Sequence, residues 1–197
     1  LFHAASLWSL KVASRIVDMV YYSSVDENNQ IVQKAKEEFR DGIVVRRDHI
    51  EDYIQEADCV LIGPGLPRAE GQEEGDDDTK ELTERLLKKY PEKRWVVDGG
   101  SLQTMNPMFI PQNAILTPHQ KEFEMLFSHA IPNSKDVILN SFQDLNRTEI
   151  PKQVRNDNKR VQHDKELEVA AKKYNCTILL KGQTDFVCSQ NECVRVS

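Results

Sequence analysis

Glycine turns that follow buried apolar runs are the residues of this sequence best suited to chemistry on a bound ligand. The apolar run Cys59–Ile62 stops at Gly63–Gly65, and the run Arg94–Val97 stops at Asp98–Gly100. Glycine has no Cβ, so the backbone can adopt positive φ and another molecule can approach it closely. The first turn is either a wall of a binding site or an ordinary connection from strand to helix. The Asp98 carboxylate either faces a ligand or caps the turn that follows.

Two further apolar runs end in residues that can bind a ligand. After Ala114–Leu116 comes Thr117–His119. Its threonine is the predicted N-cap of a helix, its proline suits the first helical turn, and its histidine either touches a ligand or lies on the surface. After Thr177–Leu180 comes Lys181–Asp185, a tight loop that leads into a second strand at Phe186–Cys188. Backbone N–H groups and a lysine ammonium bind phosphate, so this loop predicts a phosphate contact, although it is not a Walker-type P-loop.

Helices that alternate with these strands must position the four strand ends. Apolar residues at helical spacing predict helices over Ala4–Arg15, Glu27–Phe39, Asp48–Ala57, Thr79–Tyr90, Thr117–Leu126 and Lys165–Tyr174, with further strands at Val17–Tyr22 and Ile43–Val45. The stripes predicted to face the core are Leu7, Leu10, Val12 and Ile16 in the first helix and Ile31, Ala35 and Phe39 in the second. This alternation predicts an α/β fold with a mainly parallel sheet covered on both faces. Parallel connectivity would bring the four strand ends to one edge, around one ligand crevice.

The composition indicates one acidic domain. The chain has 197 residues and a formal net charge of -6, within the usual domain size of roughly 100–200 residues. No run approaches the ~18 apolar residues of a membrane span, and no charged leader of a signal peptide is present, so we expect a cytoplasmic protein without a membrane partner. Nucleic acid is not an expected partner either, because phosphate backbones require clustered lysine and arginine.

The four cysteines do not predict a metal or disulfide site. Cys59, Cys176, Cys188 and Cys193 form no CxxC pair and stand at no finger spacing from a histidine. Zinc sites and disulfide frameworks use tighter patterns, so neither is expected. Cys59 and Cys176 adjoin apolar runs, which predicts that both are buried thiols.

Two polar stretches interrupt the pattern of helices and strands. Ala69–Asp78 is acidic, and it is either a cation site or, as we predict, a solvated loop whose acids suit the positive N-terminus of the next helix. Asn133–Asp164 has little periodicity and exceeds the ~12–15 residues of an ordinary loop. We expect a disordered insertion at 133–164 within a single domain over 1–197. Its centre resembles the translated intergenic repeat elements inserted in some bacterial reading frames, which predicts that it can be deleted.

Four strings in a fixed order carry a family resemblance: GPGL at 63–66, VVDGGSL at 96–102, LTPHQKEF at 116–123 and LLKGQTD at 179–185. They resemble the NAD(P)H-hydrate dehydratases, nucleotide-dependent repair lyases of the ribokinase-like superfamily, whose usual strings are IGPGLG, DADAL, LTPHxxE and KGxxT. The resemblance implies a ribokinase-like three-layer sandwich. It also implies a carbon–oxygen lyase that uses ADP or ATP, with Mg²⁺, to phosphorylate the hydroxyl of hydrated NADH or NADPH and then eliminates phosphate.

The same resemblance implies roles for single residues. The hydrated dinucleotide would be contacted by Ala4, which matches the family's GAxxxAxxAA start loosely, and by Gly63, Gly65 and His119, with Asp98 lining the same crevice. The adenosine nucleotide would be held by Lys181, Gly182, Gln183, Thr184 and Asp185.

Departures from the family pattern limit what the resemblance implies. Pro67 stands where glycine is usual, which removes an N–H and stiffens the turn, and DADAL has become DGGSL. The chain opens on a helix with no strand before it and reaches Ser197 before a GTGDxLAG motif, where the superfamily keeps its anion hole and catalytic aspartate. We therefore expect a domain incomplete at both ends, with no assignable catalytic residue and no dehydratase activity from this chain alone.

Two alternatives stay open at this stage. One is a related ribokinase-like small-molecule kinase, such as a hydroxyethylthiazole kinase-like enzyme, and the other is a degenerate nucleotide-binding protein. The LTPH string favours the dehydratase over the kinase. The sequence does not decide between ADP and ATP, and it leaves a homo-oligomer open.

Overall fold

The computed structural model describes residues 3–35, 42–68, 78–128 and 165–196. The predicted insertion at 133–164 and most of the predicted acidic loop lie outside the described residues, as does Phe39. Asp78, the last residue of that loop, is described. Its carboxylate accepts hydrogen bonds from the backbone N–H groups of Lys80 and Glu81, so it caps the helix that follows.

A six-stranded sheet forms the centre of the fold, in the order β3-β4-β5-β6-β7-β8. Its strands are β3 Cys59–Ile62, β4 Arg94–Val97, β5 Ile115–Leu116, β6 Thr177–Leu180, β7 Asp185–Cys188 and β8 Cys193–Val196. The first four run parallel to one another, whereas β7 and β8 continue the sheet as antiparallel strands. The mainly parallel sheet predicted from the sequence is confirmed. A separate two-stranded parallel sheet pairs β1 Tyr21–Tyr22 with β2 Ile43–Val44.

Helices connect the strands as the alternation predicts. They are α1 His3–Ala13, α2 Asp26–Ala35, α3 Ile50–Glu56, α4 Thr79–Lys89, α5 Gly99–Thr104, α6 Gln120–Phe127 and a helix over residues 165–174, here called α7. Short 3-10 turns at Arg47–His49 and Pro107–Phe109 precede α3 and β5. Among the described residues, no helix is long and apolar enough to cross a membrane.

The main hydrophobic core lies on one face of the six-stranded sheet. Alternate strand residues point to this face, so Trp95, Val97, Leu116 and Ile178 are at most 1% exposed. Leu82, Leu86 and Leu87 of α4 join this cluster, together with apolar residues of α5, α6 and α7. Because this face is packed against the helices, the strands are held in fixed positions, and so are the residues at their ends that form the site.

Some predicted stripes and strand bounds are wrong. Val12 and Ile16 are exposed, and only Leu10 of the first stripe is buried. In α2 the buried aliphatic residue is Val32, whereas Ile31 is 42% exposed. The predicted strand Val17–Tyr22 shortens to its last two residues, because only those pair with β2.

The cysteine predictions need two corrections. Cys188 and Cys193 are directly paired across β7 and β8 and form a disulfide, although no disulfide was expected. Their spacing gave no signal because the bond depends on the strand register, which only the folded hairpin sets. Cys176 is buried as predicted, but Cys59 is exposed, since it lies at the start of β3 on the face opposite the main core.

Candidate functional site

The ends of β3, β4, β5 and β6 meet at one edge of the sheet, joined by backbone hydrogen bonds from tip to tip. The Asp98 N–H donates to the Ile62 carbonyl at 3.0 Å, and the Thr117 N–H donates to the Val97 carbonyl at 3.1 Å. Lys181 donates its N–H to the Pro118 carbonyl at 2.8 Å. The four predicted strand ends therefore form one continuous edge, as parallel connectivity requires.

The glycines at this edge permit a close packing of two turns. Gly63 has φ of 114°, and a Cβ placed on it would lie 1.7 Å from the Asp98 carbonyl oxygen. A Cβ on Gly100 would lie 2.4 Å from the Leu66 carbonyl oxygen. Side chains at these positions would push the GPG turn away from the tip of β4, so the glycines hold both turns in register. Pro67, the departure from the family string, is buried, and its carbonyl accepts a hydrogen bond from the Thr79 hydroxyl at 2.7 Å.

The Asp98 carboxylate links two strand tips and does not cap the helix that follows it. It occupies the N-cap position of α5 but makes no side-chain capping bond there. Instead its Oδ1 accepts hydrogen bonds from the Thr117 hydroxyl at 2.8 Å and from Lys181 Nζ at 2.6 Å. The side chains of Lys181 and Asp98 are 43% and 28% exposed, so this ion pair lies at the surface of the crevice, within reach of a ligand.

His119, and not Thr117, is the N-cap of α6, so the predicted start of this helix is wrong by two residues. The backbone N–H of Glu122 donates to His119 Nδ1 at 3.3 Å, and the Glu122 carboxylate accepts a hydrogen bond from the backbone N–H of His119 at 2.9 Å. These two bonds form a capping box. Thr117 does not cap the helix because its hydroxyl donates to the Asp98 carboxylate. Because Nδ1 accepts this N–H, the hydrogen-bond pattern assigns a ring proton to Nε2. The His119 side chain is 47% exposed, and its Nε2 lies 3.5 Å from Glu122 Oε1, so a ligand would share this donor with the Glu122 carboxylate.

The loop Lys181–Asp185 is tied to the neighbouring tip and closed on itself. A parallel backbone bridge joins Lys181 to His119. The Gly182 N–H donates to the Asp185 carboxylate at 2.9 Å, so Asp185 closes the loop. Arg195 of β8 extends over the loop and donates from Nη2 to the Thr184 hydroxyl at 3.3 Å. The loop therefore contains one cationic side chain, that of Lys181, and contacts a second, that of Arg195.

A cleft of about 450 Å³ opens between α1 and the tips of β3 and β4. One face of α1, containing Ala5, Trp8, Ser9, Val12 and Ala13, forms one wall, and Leu61, Pro64 and Asp98 form the other. Ala4 is exposed in the first turn of α1, next to this face and one helical turn before Trp8. The volume is typical of a small-molecule site, and Asp98 is the one acidic residue among the described residues that line it.

The structure thus brings the predicted site residues to one edge of the sheet, with Ala4 beside the cleft and the Lys181–Asp185 loop at the other end. The sequence did not single out Trp8, Thr117 as a partner of Asp98, or Arg195. For Trp8 the available sequence signal was a large apolar residue outside the stripe predicted to face the core, whereas the other two contacts join distant parts of the chain.

No group of three His, Cys, Asp or Glu side chains that could hold a metal ion is found in the described parts of the chain. Whereas the buried Glu122 carboxylate caps α6, Asp98 and Asp185 are the other carboxylates that the structure describes at the strand-end edge. Magnesium is commonly held by one or two carboxylates together with substrate phosphates, so these residues fit an ion that arrives with a nucleotide.

Comparison with protein families identifies a match along almost the whole chain. The family model described as NAD(P)H-hydrate dehydratase matches residues 4–197. An ADP-dependent (S)-NAD(P)H-hydrate dehydratase of Streptococcus thermophilus is 40% identical over 84 residues, which are 41% of this chain and 28% of that protein. A bifunctional NAD(P)H-hydrate repair enzyme of Hyperthermus butylicus is 30% identical over 95 residues, 44% of this chain and 16% of that protein.

Solved structures share the fold at low sequence identity. A ribokinase-like superfamily protein of Enterococcus faecalis has a TM-score of 0.63 at 15% identity, and the match covers 100% of this chain and 59% of that one. An ADP/ATP-dependent NAD(P)H-hydrate dehydratase of Bacillus subtilis, co-crystallised with ATP and Mg²⁺, has a TM-score of 0.55 at 14% identity, with 90% of this chain and 64% of that one covered. The chain therefore spans about three-fifths of these structures and has their ribokinase-like fold.

Proposed function

This chain belongs to the NAD(P)H-hydrate dehydratase family, and on that premise we propose that its strand-end edge binds hydrated NADH or NADPH beside an adenosine nucleotide for ADP- or ATP-dependent dehydration. The observation that carries the proposal is the ion pair between Lys181 Nζ and Asp98 Oδ1 at 2.6 Å. It joins the loop proposed to hold the nucleotide to the crevice proposed to hold the dinucleotide. Two substrates that exchange a phosphoryl group must meet at such a point.

The reaction requires the nucleotide phosphate and the ring hydroxyl to lie side by side. A new P–O bond forms between the terminal phosphoryl group and the hydroxyl oxygen of the hydrated ring, while the bond to the leaving nucleotide breaks and the hydroxyl proton is released. The ring C–O bond then breaks, phosphate departs, and a proton leaves the neighbouring ring carbon, which restores the double bond of the dihydronicotinamide.

The residues at the edge have chemistry suited to these steps. Lys181 supplies a positive charge to a phosphate, and the backbone N–H groups of its loop supply hydrogen bonds. Asp98 can accept a hydrogen bond from the ring hydroxyl, while the Thr117 hydroxyl, which donates to Asp98 Oδ1, holds the carboxylate in place. His119 can donate from Nε2 to the dinucleotide. A magnesium ion carried on the nucleotide phosphates would neutralise their charge and would find its protein oxygens at Asp98 or Asp185.

The proposal extends to the organisation of the chain. We propose that residues 1–197 belong to one ribokinase-like domain into which residues 133–164 are inserted. The site residues named above all lie outside that segment. We also propose that the protein acts in the cytoplasm, since both ligands are soluble metabolites.

Calorimetric titration of the purified chain tests the function directly. We expect separate, saturable binding of ADP or ATP and of hydrated NADPH. Lys181→Ala should weaken nucleotide binding about tenfold or more, because one charge-assisted contact to phosphate is lost. Lys88→Ala, a lysine in the last turn of α4, is the matched control and should bind the nucleotide as the wild type does. Absence of binding of both ligands to the wild-type chain would refute the proposal.

A further inference from the structure

Trp8 is a large apolar side chain that the fold leaves uncovered in the cleft beside the proposed site. It is 66% exposed, whereas the other tryptophan of the chain, Trp95, is 1% exposed. Ser9 and Val12, on the same face of α1, also line the cleft. Contact between the apolar indole and water is unfavourable, so a flat ligand that covered the indole would gain binding free energy.

The polar group at the end of this cleft limits which part of a dinucleotide can enter. Among the residues that the structure describes, those lining the cleft are apolar except for Asp98 and Ser9. A carboxylate accepts hydrogen bonds and repels phosphate, so the phosphates of a dinucleotide would not lie beside it unless a cation intervened. A ring that carries hydroxyl and amide donors satisfies both the apolar wall and the carboxylate.

The position of Lys181 decides which of the two rings this is. Lys181 Nζ lies 2.6 Å from Asp98 Oδ1, so the Asp98 end of the cleft adjoins the loop where the nucleotide phosphate is proposed to arrive. Only the hydrated nicotinamide ring carries the hydroxyl that accepts the phosphoryl group. That ring must therefore occupy the Asp98 end, and the adenine of the same dinucleotide must lie elsewhere.

We propose that Trp8 packs flat against the hydrated nicotinamide ring in the cleft between α1 and the tips of β3 and β4, while Asp98 accepts a hydrogen bond from that ring. This assignment rests on the proposed function and adds a specificity-determining residue to it. The indole covers one face of the ring and excludes water from it. Trp8 thereby orients the hydroxyl toward the Lys181 loop.

Acrylamide quenching of tryptophan emission tests the assignment. The chain has two tryptophans, and the buried one is shielded in every state, so the difference between wild type and Trp8→Phe isolates the signal of Trp8. Hydrated NADPH should protect Trp8 from acrylamide, whereas AMP should not. In calorimetry, Trp8→Ala should weaken the binding of hydrated NADPH about tenfold, and Trp8→Phe should retain most of the affinity because a flat ring remains.

Two controls separate the ring contact from general effects. Met108 is 71% exposed and lies outside the cleft, so Met108→Ala should not change the affinity for hydrated NADPH. ADP binding should be unchanged in Trp8→Ala, which also reports that the variant is folded.

The outcomes distinguish this inference from the proposed function. If hydrated NADPH binds the wild type but neither shields Trp8 nor distinguishes Trp8→Ala, the assignment of Trp8 is wrong and the proposed function stands. Protection of Trp8 by AMP, without protection by hydrated NADPH, would overturn the assignment in favour of an adenine site. If hydrated NADPH does not bind the wild type at all, the proposed function and the assignment of Trp8 are refuted together.

Discussion

Replacing Asp98 by asparagine should move the affinities for the two proposed ligands in opposite directions. The substitution keeps the size of the side chain and an oxygen that can still accept the Thr117 hydroxyl, but it removes the negative charge. That charge is paired with Lys181 Nζ at 2.6 Å in the free protein. A nucleotide phosphate that approaches Lys181 must compete with Asp98 for the same ammonium group.

The gain for the nucleotide follows from Coulomb's law. Two anions held by one ammonium lie roughly 5 Å apart, and their repulsion is about 0.8 kcal/mol in water and about 3 kcal/mol at an effective dielectric constant of 20. The Asp98 side chain is 28% exposed, so solvent screens part of this repulsion. In the absence of Mg²⁺, for which Asp98 is a proposed ligand, we take about 1 kcal/mol, which makes ADP bind about fivefold more tightly to the variant.

The loss for the dinucleotide follows from the weaker acceptor. Hydrogen bonds to a charged group contribute about 1 kcal/mol more than those to a neutral amide, so hydrated NADPH should bind about fivefold more weakly. The ratio of the two dissociation constants should therefore change about 25-fold. The unfolding free energy should fall by no more than about 1 kcal/mol, because the lost ion pair is partly exposed.

Isothermal titration of each ligand without Mg²⁺, at low and at high salt, measures both effects. High salt should reduce the gain for ADP, because that gain is electrostatic, and should leave most of the loss for hydrated NADPH. Asp52→Asn, an exposed change on α3 that alters the net charge equally, is the control and should change neither affinity. A parallel loss of both affinities would show that Asp98 only positions Lys181 or supports the fold and does not compete with the nucleotide for Lys181.

The remaining predictions concern stability and thiol chemistry. In denaturant titration, Gly63→Ala should lower the unfolding free energy by at least about 2–3 kcal/mol, because its Cβ would overlap a carbonyl oxygen at a positive φ. The Cβ of Gly182→Ala would meet its nearest atom at 3.3 Å, so this control should cost less than about 1 kcal/mol. Equal effects of the two substitutions would contradict the close packing of the two turns. In thiol labelling followed by mass spectrometry near neutral pH, the exposed Cys59 should react first. Cys176 should react only after unfolding, because burial raises the pKa of its thiol to about 12. Early labelling of Cys176 would disprove its burial. A hydrogen bond from Lys89 lowers the pKa of the Glu51 carboxyl below its ordinary 4.5. The stabilisation that Glu51 provides should therefore be present at neutral pH and be lost as the pH falls through that lowered value. On acid titration, Glu51→Gln should lose stability less steeply than the wild type, and superimposable curves would refute this role.

Several elements could be predicted from the sequence because their signals are local. The runs at Cys59–Ile62, Arg94–Val97 and Thr177–Leu180 form strands with the predicted bounds. Apolar runs bounded by turn residues report burial within a few residues, so long-range information was not needed. The parallel order then placed the strand ends together, since each crossover helix returns the chain to the same edge.

Predictions failed where two local solutions competed. Thr117 and His119 can both cap a helix, and the choice went to His119 only because the Thr117 hydroxyl is bound to Asp98 of the neighbouring strand. Ile31 and Val32 are both apolar residues of one helix, and the contact with the small sheet, not the fourfold spacing, decided which of them is buried.

The sequence by itself determined the class of the fold, the order of the four strand ends and the family, because these depend on local periodicity and on strings of adjacent residues. Only the tertiary structure decided what those residues do to one another. Lys181 and Asp98 are 83 residues apart in the chain and meet because β4, β5 and β6 are neighbours in the sheet. The uncovered face of Trp8 depends in the same way on how α1 lies against β3 and β4. Contacts between distant residues follow from the packing of whole elements, and no local pattern encodes them.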